Sequence, residues 1–155
     1  MTALTSDRNT EYSLGDLLSM PVAAGSRIFA GALVCSNASG HAVRAADEAG
    51  LVFEGVATAQ ADNRNGAAGD VRVVVRRRGR YRVDCASLLD QSALSVQVYA
   101  ADDHTVAVAD DVSHNVAVGV IDKVESADEC WVSIDAAVLA GKVWSEATTT
   151  TTQGS

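Results

Sequence analysis

A chain of 155 residues with a formal net charge of -8 is one domain's worth of length, able to bury about two thirds of its unfolded surface, and it repels nucleic acid and membrane surfaces. The three cysteines, Cys35, Cys85 and Cys130, are odd in number and widely spaced, which excludes a zinc pattern and a secreted disulfide framework and points to synthesis in a reducing cytoplasm. No cleavable apolar signal opens the chain and no apolar run approaches the roughly 20 residues that span a bilayer, so a soluble protein with no membrane partner is predicted.

In chain order, residues 1–20 mix small polar residues with scattered leucines and hold no period for long, which reads as an extended N-terminal arm anchored by Leu14, Leu17 and Leu18. Pro21 opens a β domain over residues 21–146, beginning with a hairpin around the turn at 23–26. Valine-rich, alanine-rich text with little leucine favours strands, because β-branched side chains fit a pleated, half-buried surface. The clearest strands are 33–35, 52–57, 71–83, 96–99, 105–109, 116–120 and 131–134. Helix is limited to one turn near 87–90, with Ser87 as its cap. Residues 147–155, five threonines and Gln-Gly-Ser within them, read as a flexible tail with nothing to bury.

The domain repeats itself. Residues 32–75 and 95–134 both read as strand, polar turn, strand, acidic turn, strand through a glycine, polar loop, strand. Val34 matches Val98, Gly55 matches Gly119 and Val56 matches Val120 at one constant offset, after which the first copy carries a longer loop. Two copies are too few for an open solenoid. The predicted fold is therefore all-β, a small barrel or sandwich built from two similar β units.

Charge is uneven. Arg72, Arg76, Arg77, Arg78, Arg80 and Arg82 make up half of the chain's 12 basic residues. If one strand ran unbroken through Gly79, all but Arg77 would share a face, because successive side chains alternate. That face is either solvated or an electrostatic contact with a neighbouring acidic surface. Nucleic acid fits it poorly, since only Tyr81 is at hand for stacking.

Catalytic patterns are missing: no nucleophile elbow, phosphate-binding glycine loop or dinucleotide fingerprint is present, and neither enzyme activity nor a cofactor is predicted. Asp102, Asp103 and His104 read as turn residues rather than a metal site. Trp131, in strand text, is assigned to the core.

Several phrases carry a resemblance. LTSDRNT at 4–10, PVAAGSRIFAGALVCSNASGHAV at 21–43, GAAGDVRVVVRRRGRY at 66–81 and VGVIDKVESADECWVSI at 118–134 are similar to segments of a family of tailed-phage and prophage capsid decoration, or cement, proteins. The likeness covers residues 4 to about 135. It implies a structural virion protein made in the host bacterial cytoplasm, which binds the outer surface of the major capsid protein shell and stabilises the expanded head. It also implies a homotrimer with an arm laid along the major capsid protein. Arg8, Asn9 and Thr10 in the arm become shell contacts by that analogy, and Arg76, Arg78 and Arg80 are candidate shell or subunit contacts. The chain departs from the family in its heavier arginine run and from residue 138 onward. The alternative is a surface-displayed ligand- or glycan-binding β module using Tyr99 or Trp144.

Overall fold

The computed structural model of the chain describes residues 3–141; Trp144 and the threonine-rich tail lie outside the described residues. Seven strands make the first unit: β1 (Leu17–Pro21), β2 (Arg27–Ile28), β3 (Leu33–Ser36), β4 (Ala42–Arg44), β5 (Val52–Ala57), β6 (Ala61–Asp62) and β7 (Arg72–Arg76). Five of them form a sheet in the order β1-β7-β5-β3-β4, while β2 pairs with β6. The second unit comprises β8 (Arg80–Cys85), β9 (Gln97–Ala100), β10 (Thr105–Ala107), β11 (Ala117–Val124) and β12 (Glu129–Ser133), closed as a barrel in the order β10-β8-β12-β11-β9. A six-residue helix, α1 (Asp135–Ala140), follows. The chain is all-β, as its β-branched composition predicts.

The duplication is wider than the sequence pattern suggests. Read from β4, the first sheet runs β4-β3-β5-β7-β1, and the barrel runs β10-β9-β11-β12-β8 in the same sense, so β1 is the counterpart of β8. Both units close the same way. In the barrel, β8 meets β10 in parallel and the Ala86 N–H donates to the Val106 carbonyl (2.9 Å). In the first unit, Val22 bridges Ala42 in parallel and the Ala23 N–H donates to the Ala42 carbonyl (3.0 Å). The strand that begins at Leu17 pairs with β7 through Pro21, so the first unit starts ahead of the predicted boundary at Pro21 and the unpaired arm ends at Asp16.

Two cores result. Met20, Val22, Ile28, Val34, Val73 and Val75 fill the first unit. A second cluster joins Val98, Val106, Val118, Ile121, Val132 and Ile134 of the barrel to Leu33, Cys35, Phe53 and Val56 of the first unit. All four residues of β3 are buried, because Val34 turns into its own core while Leu33 and Cys35 turn across to the barrel. The equivalent strand β9 has only one covered face: Val98 and Ala100 are buried and Gln97 is exposed.

Four expectations need correction. The hairpin expected around the turn at 23–26 does not form, because β2 pairs with β6 and Val22 bridges Ala42 instead. The strand read over 71–83 is two strands in two sheets, because residues 77–79 form the crossing between units. Arg77 there turns back to Glu54 (Nη2 to Oε2, 3.3 Å), and the Gly79 N–H donates to Asp135 Oδ1 (2.8 Å). The helical turn read at 87–90 lies instead at Gln91–Ala93, where Asp90 accepts the Ser92 N–H (2.8 Å). Ser87 is engaged elsewhere, accepting the Val108 N–H (3.1 Å) and donating to Asp111. Trp131 is not in the core: it lies between buried Cys130 and Val132 on β12 and so faces outward.

Candidate functional site

Every residue from 3 to 17 is exposed, and residues 3–16 form no helix or strand. Leu4, Tyr12 and Leu14 stand 74%, 85% and 70% exposed. Covering a large apolar side chain is worth about 1.5–3 kcal/mol, so three of them left in water on one segment are a sizeable unspent driving force. Arg8, Asn9 and Thr10 lie in this segment and make no hydrogen bond to the body among the described residues. Among the described residues the arm is tied down only at its root, where Asp16 accepts the Arg77 N–H (2.8 Å) and pairs with Arg78 (3.5 Å).

The arginines do not form one free basic face. Arg80 and Arg82, on the outer side of β8, pair with Asp122 and Glu129, and hydrogen bonding to those carboxylates raises both guanidinium pKa values. The Arg80 guanidinium also sits 5.7 Å from the centre of the Trp131 ring, whose Nε1 donates to Glu125 (3.1 Å). Arg72 reaches Ser19, and Arg78 meets Asp16. Such exposed pairs add little to stability, but they cancel the local charge. Arg76 has no carboxylate partner among the described residues. It borders two depressions, one beside Asp16, Leu17 and Arg78, the other between the units beside Leu33, Val56 and Tyr81. Of the candidate contacts, Arg76 and Arg78 come together at the root of the arm, whereas Arg80 belongs to the barrel's outer face.

Asp102, Asp103 and His104 do converge, with their ligand-type atoms within 4.8 Å of one another. Asp102 Oδ1 already accepts the N–H groups of His104 (2.9 Å) and Thr105 (2.8 Å), the work of a turn-forming aspartate. Hydrogen bonding to Asp103 and the Asp102 charge raise the His104 pKa. Tyr99 is half-buried on β9 and donates to Gln97 (3.3 Å). Trp144, the other aromatic considered for ligand binding, lies outside the described residues.

Sequence reasoning missed two features. One is the clasp between units, in which Asp47 accepts backbone N–H groups from Ser113 and His114. The other is the pairing of two buried thiols, Cys85 and Cys130: hydrogen bonding between them lowers the Cys85 pKa and raises that of Cys130. Extending the repeat back to Leu17 would have aligned β1 with β8 and placed Cys85 inside a strand; the clasp leaves no such trace. No helix among the described residues is long and apolar enough to cross a membrane. A scan against protein-family models finds no match to the chain, and no curated protein matches it at a significant level.

Proposed function

We propose that this chain is a structural virion protein, a capsid decoration or cement protein that docks on the outer surface of the major capsid protein shell and stabilises the expanded head. The observation that carries the reading is the arm: fourteen exposed residues, 3–16, hold Leu4, Tyr12 and Leu14 in water on a segment that forms no helix or strand. A segment of this kind gains its structure on a partner and loses conformational entropy when it does, so each contact is weak and repetition over a symmetric shell supplies the affinity. The β body, with its core shared between two units, is the rigid part. The sequence phrase at 4–10, similar to the decoration family, lies in this arm and makes Arg8, Asn9 and Thr10 its shell contacts. Assembly as a homotrimer is part of the same proposal.

Co-sedimentation with expanded shells that lack the protein tests it. Saturable binding at a fixed ratio to the major capsid subunit, lost when Leu4, Arg8 and Asn9 are replaced together by Ala, Glu and Ala, is the expected result. Absence of binding to matched shells sinks the proposal.

A further inference from the structure

Strand β8 has one open edge. Its antiparallel pairing with β12 sets the phase: the Cys85 N–H donates to the Asp128 carbonyl (2.7 Å) and the Ile134 N–H to the Gly79 carbonyl (3.2 Å). Tyr81, Val83 and Cys85 therefore aim their backbone groups at β12, and Arg80, Arg82 and Asp84 aim theirs the other way. On that side β10 covers only the end of the strand, where the Asp84 N–H donates to the His104 carbonyl (3.3 Å). The chain before Thr105 turns off and gives the Asp103 carbonyl to the Leu33 N–H (2.7 Å) instead. The backbone groups of Arg80 and Arg82 have no partner among the described residues.

The duplicated unit shows how such an edge is protected. On β1, Pro21 occupies the place of Asp84 and has no N–H, and Arg72 donates to the carbonyl of Ser19, which occupies the place of Arg82 (2.8 Å). Strand β8 has neither device. Its open stretch instead walls a cleft of about 450 Å³ between the units, formed by Tyr81, Arg82 and Val83 on one side and Leu33, Val56 and Arg76 on the other. An apolar floor, the Arg76 guanidinium with no carboxylate partner among the described residues, and a row of free amides and carbonyls suit an extended acidic peptide with alternating apolar side chains.

The arm is such a peptide. In extended backbone Tyr12 and Leu14 project to one side and Glu11 to the other. The described arm carries Asp7, Glu11 and Asp16 against Arg8 alone. Its own molecule offers it the wrong edge. Asp16 and β1 lie along the side of the 72–85 run that β12 takes over, as the Arg77 N–H to Asp16 bond and the Gly79 carbonyl bond to Ile134 show. The open side continues the one that β5 occupies, where the Thr58 N–H donates to the Val74 carbonyl (2.9 Å).

We propose that the open edge of β8 at Arg80 and Arg82 receives residues 11–14 of the arm of a second copy of this chain as an added strand. Four residues at about 3.3 Å each match the open stretch, and residues 3–10 remain beyond it to reach a shell. The proposal rests on the arm being a docking segment and names the surface that receives its proximal half. A contact of this kind between arm and edge is heterologous, so it closes into a ring or exchanges reciprocally.

The test uses full-length chains in sedimentation velocity over a concentration series. Arg82→Pro removes the free N–H without touching the bonds to β12; Tyr12→Asp with Leu14→Asp spoils the arm without touching the body. The wild-type chain self-associates, each variant weakens association by about tenfold or more, and an equimolar mixture of the two variants recovers a complex, because one keeps the arm and the other keeps the edge. Amide hydrogen exchange gives a second readout: the Arg80 and Arg82 amides are protected in concentrated wild-type protein and exposed in the arm variant, which holds even if Arg82→Pro fails to fold. A monomeric wild-type chain, association unchanged in the arm variant, or an arm protected from protease within a monomer overturns the proposal. Loss of shell binding in the arm variant alongside a monomeric wild-type chain overturns it while leaving the decoration reading in place.

Discussion

Asp47 of the first unit grips His114 of the second: its Oδ1 accepts the His114 backbone N–H (2.7 Å), its Oδ2 accepts the neighbouring Ser113 N–H (2.8 Å), and its carbonyl lies 3.1 Å from His114 Nδ1. The Ser113 hydrogen bond first, then the His114 backbone and ring, hold the Asp47 pKa below its ordinary 3.8. A carboxyl whose folded pKa is depressed contributes stability that is fully present above its unfolded pKa and is lost as pH falls through the folded one. Asp47→Asn therefore lowers the melting temperature at neutral pH, and the gap to wild type narrows as pH falls from the ordinary carboxyl range through the depressed Asp47 pKa. Thermal melts across pH 2–7 check it; a gap that stays constant across that range counts against the clasp.

Gly55 and Gly119 hold equivalent places in β5 and β11 for a steric reason. A Cβ at Gly55 would run into the Arg76 carbonyl oxygen, and one at Gly119 into the Ser133 carbonyl oxygen. In both cases the obstacle is backbone of a neighbouring strand, which cannot swing aside. Gly119→Ala and Gly55→Ala are expected to cost upwards of about 3 kcal/mol. Gly40→Ala, at φ +80° but with open space around it, costs about 1 kcal/mol. Urea unfolding ranks them, and equal costs at Gly119 and Gly40 would refute the packing argument.

The strands and the repeat were legible because valine-rich alternation survives in a single sequence: β5, β9 and β12 each lie within about a residue or two of where the pattern puts them. The break at 77–79 was not, since Val and Arg alternate on both sides of Gly79 and nothing local marks a change of sheet. Helix α1 had a signal that went unread, an alanine-rich segment behind Asp135 closed by Gly141 at positive φ. Strand text alone does not tell which face Trp131 takes; its parity with buried Cys130 and Val132 does. For the candidate site, the exposed arm was legible from composition, whereas the pairing of Arg80 and Arg82 with Asp122 and Glu129 depends on cross-strand register.

Leu33 and Gln97 test what the two copies have come to do differently. Both sit one residue before a buried core valine, Val34 or Val98, but Leu33 is covered by the barrel and Gln97 is exposed. Leu33→Ala leaves a void in the shared core and is expected to cost about 2–5 kcal/mol, whereas Gln97→Ala stays within about 0.5 kcal/mol. Because the same cluster spans both units, wild-type protein should unfold in one transition by fluorescence and by circular dichroism. Two separated transitions, or equal costs for the two substitutions, would show that the units fold independently.

The thiols make the last contrast. Burial and the nearby Glu54 charge push the Cys35 pKa up to about 12, whereas hydrogen bonding with Cys130 draws the Cys85 pKa down although both side chains are buried. Reactivity needs thiolate and access together. Cys85, 5% exposed, has a little of each, and Cys35, at 0%, has neither. Methyl methanethiosulfonate, a small reagent, should modify Cys85 first in native protein, at a rate that climbs and levels off at lower pH than for an ordinary thiol. Cys35 should react only when the protein unfolds. Cys130→Ala removes the hydrogen bond that stabilises the Cys85 thiolate, so the rise moves to higher pH. Mass spectrometry of the labelled chain reads each site separately; simultaneous labelling of all three cysteines at the unfolding rate would show that burial alone governs them.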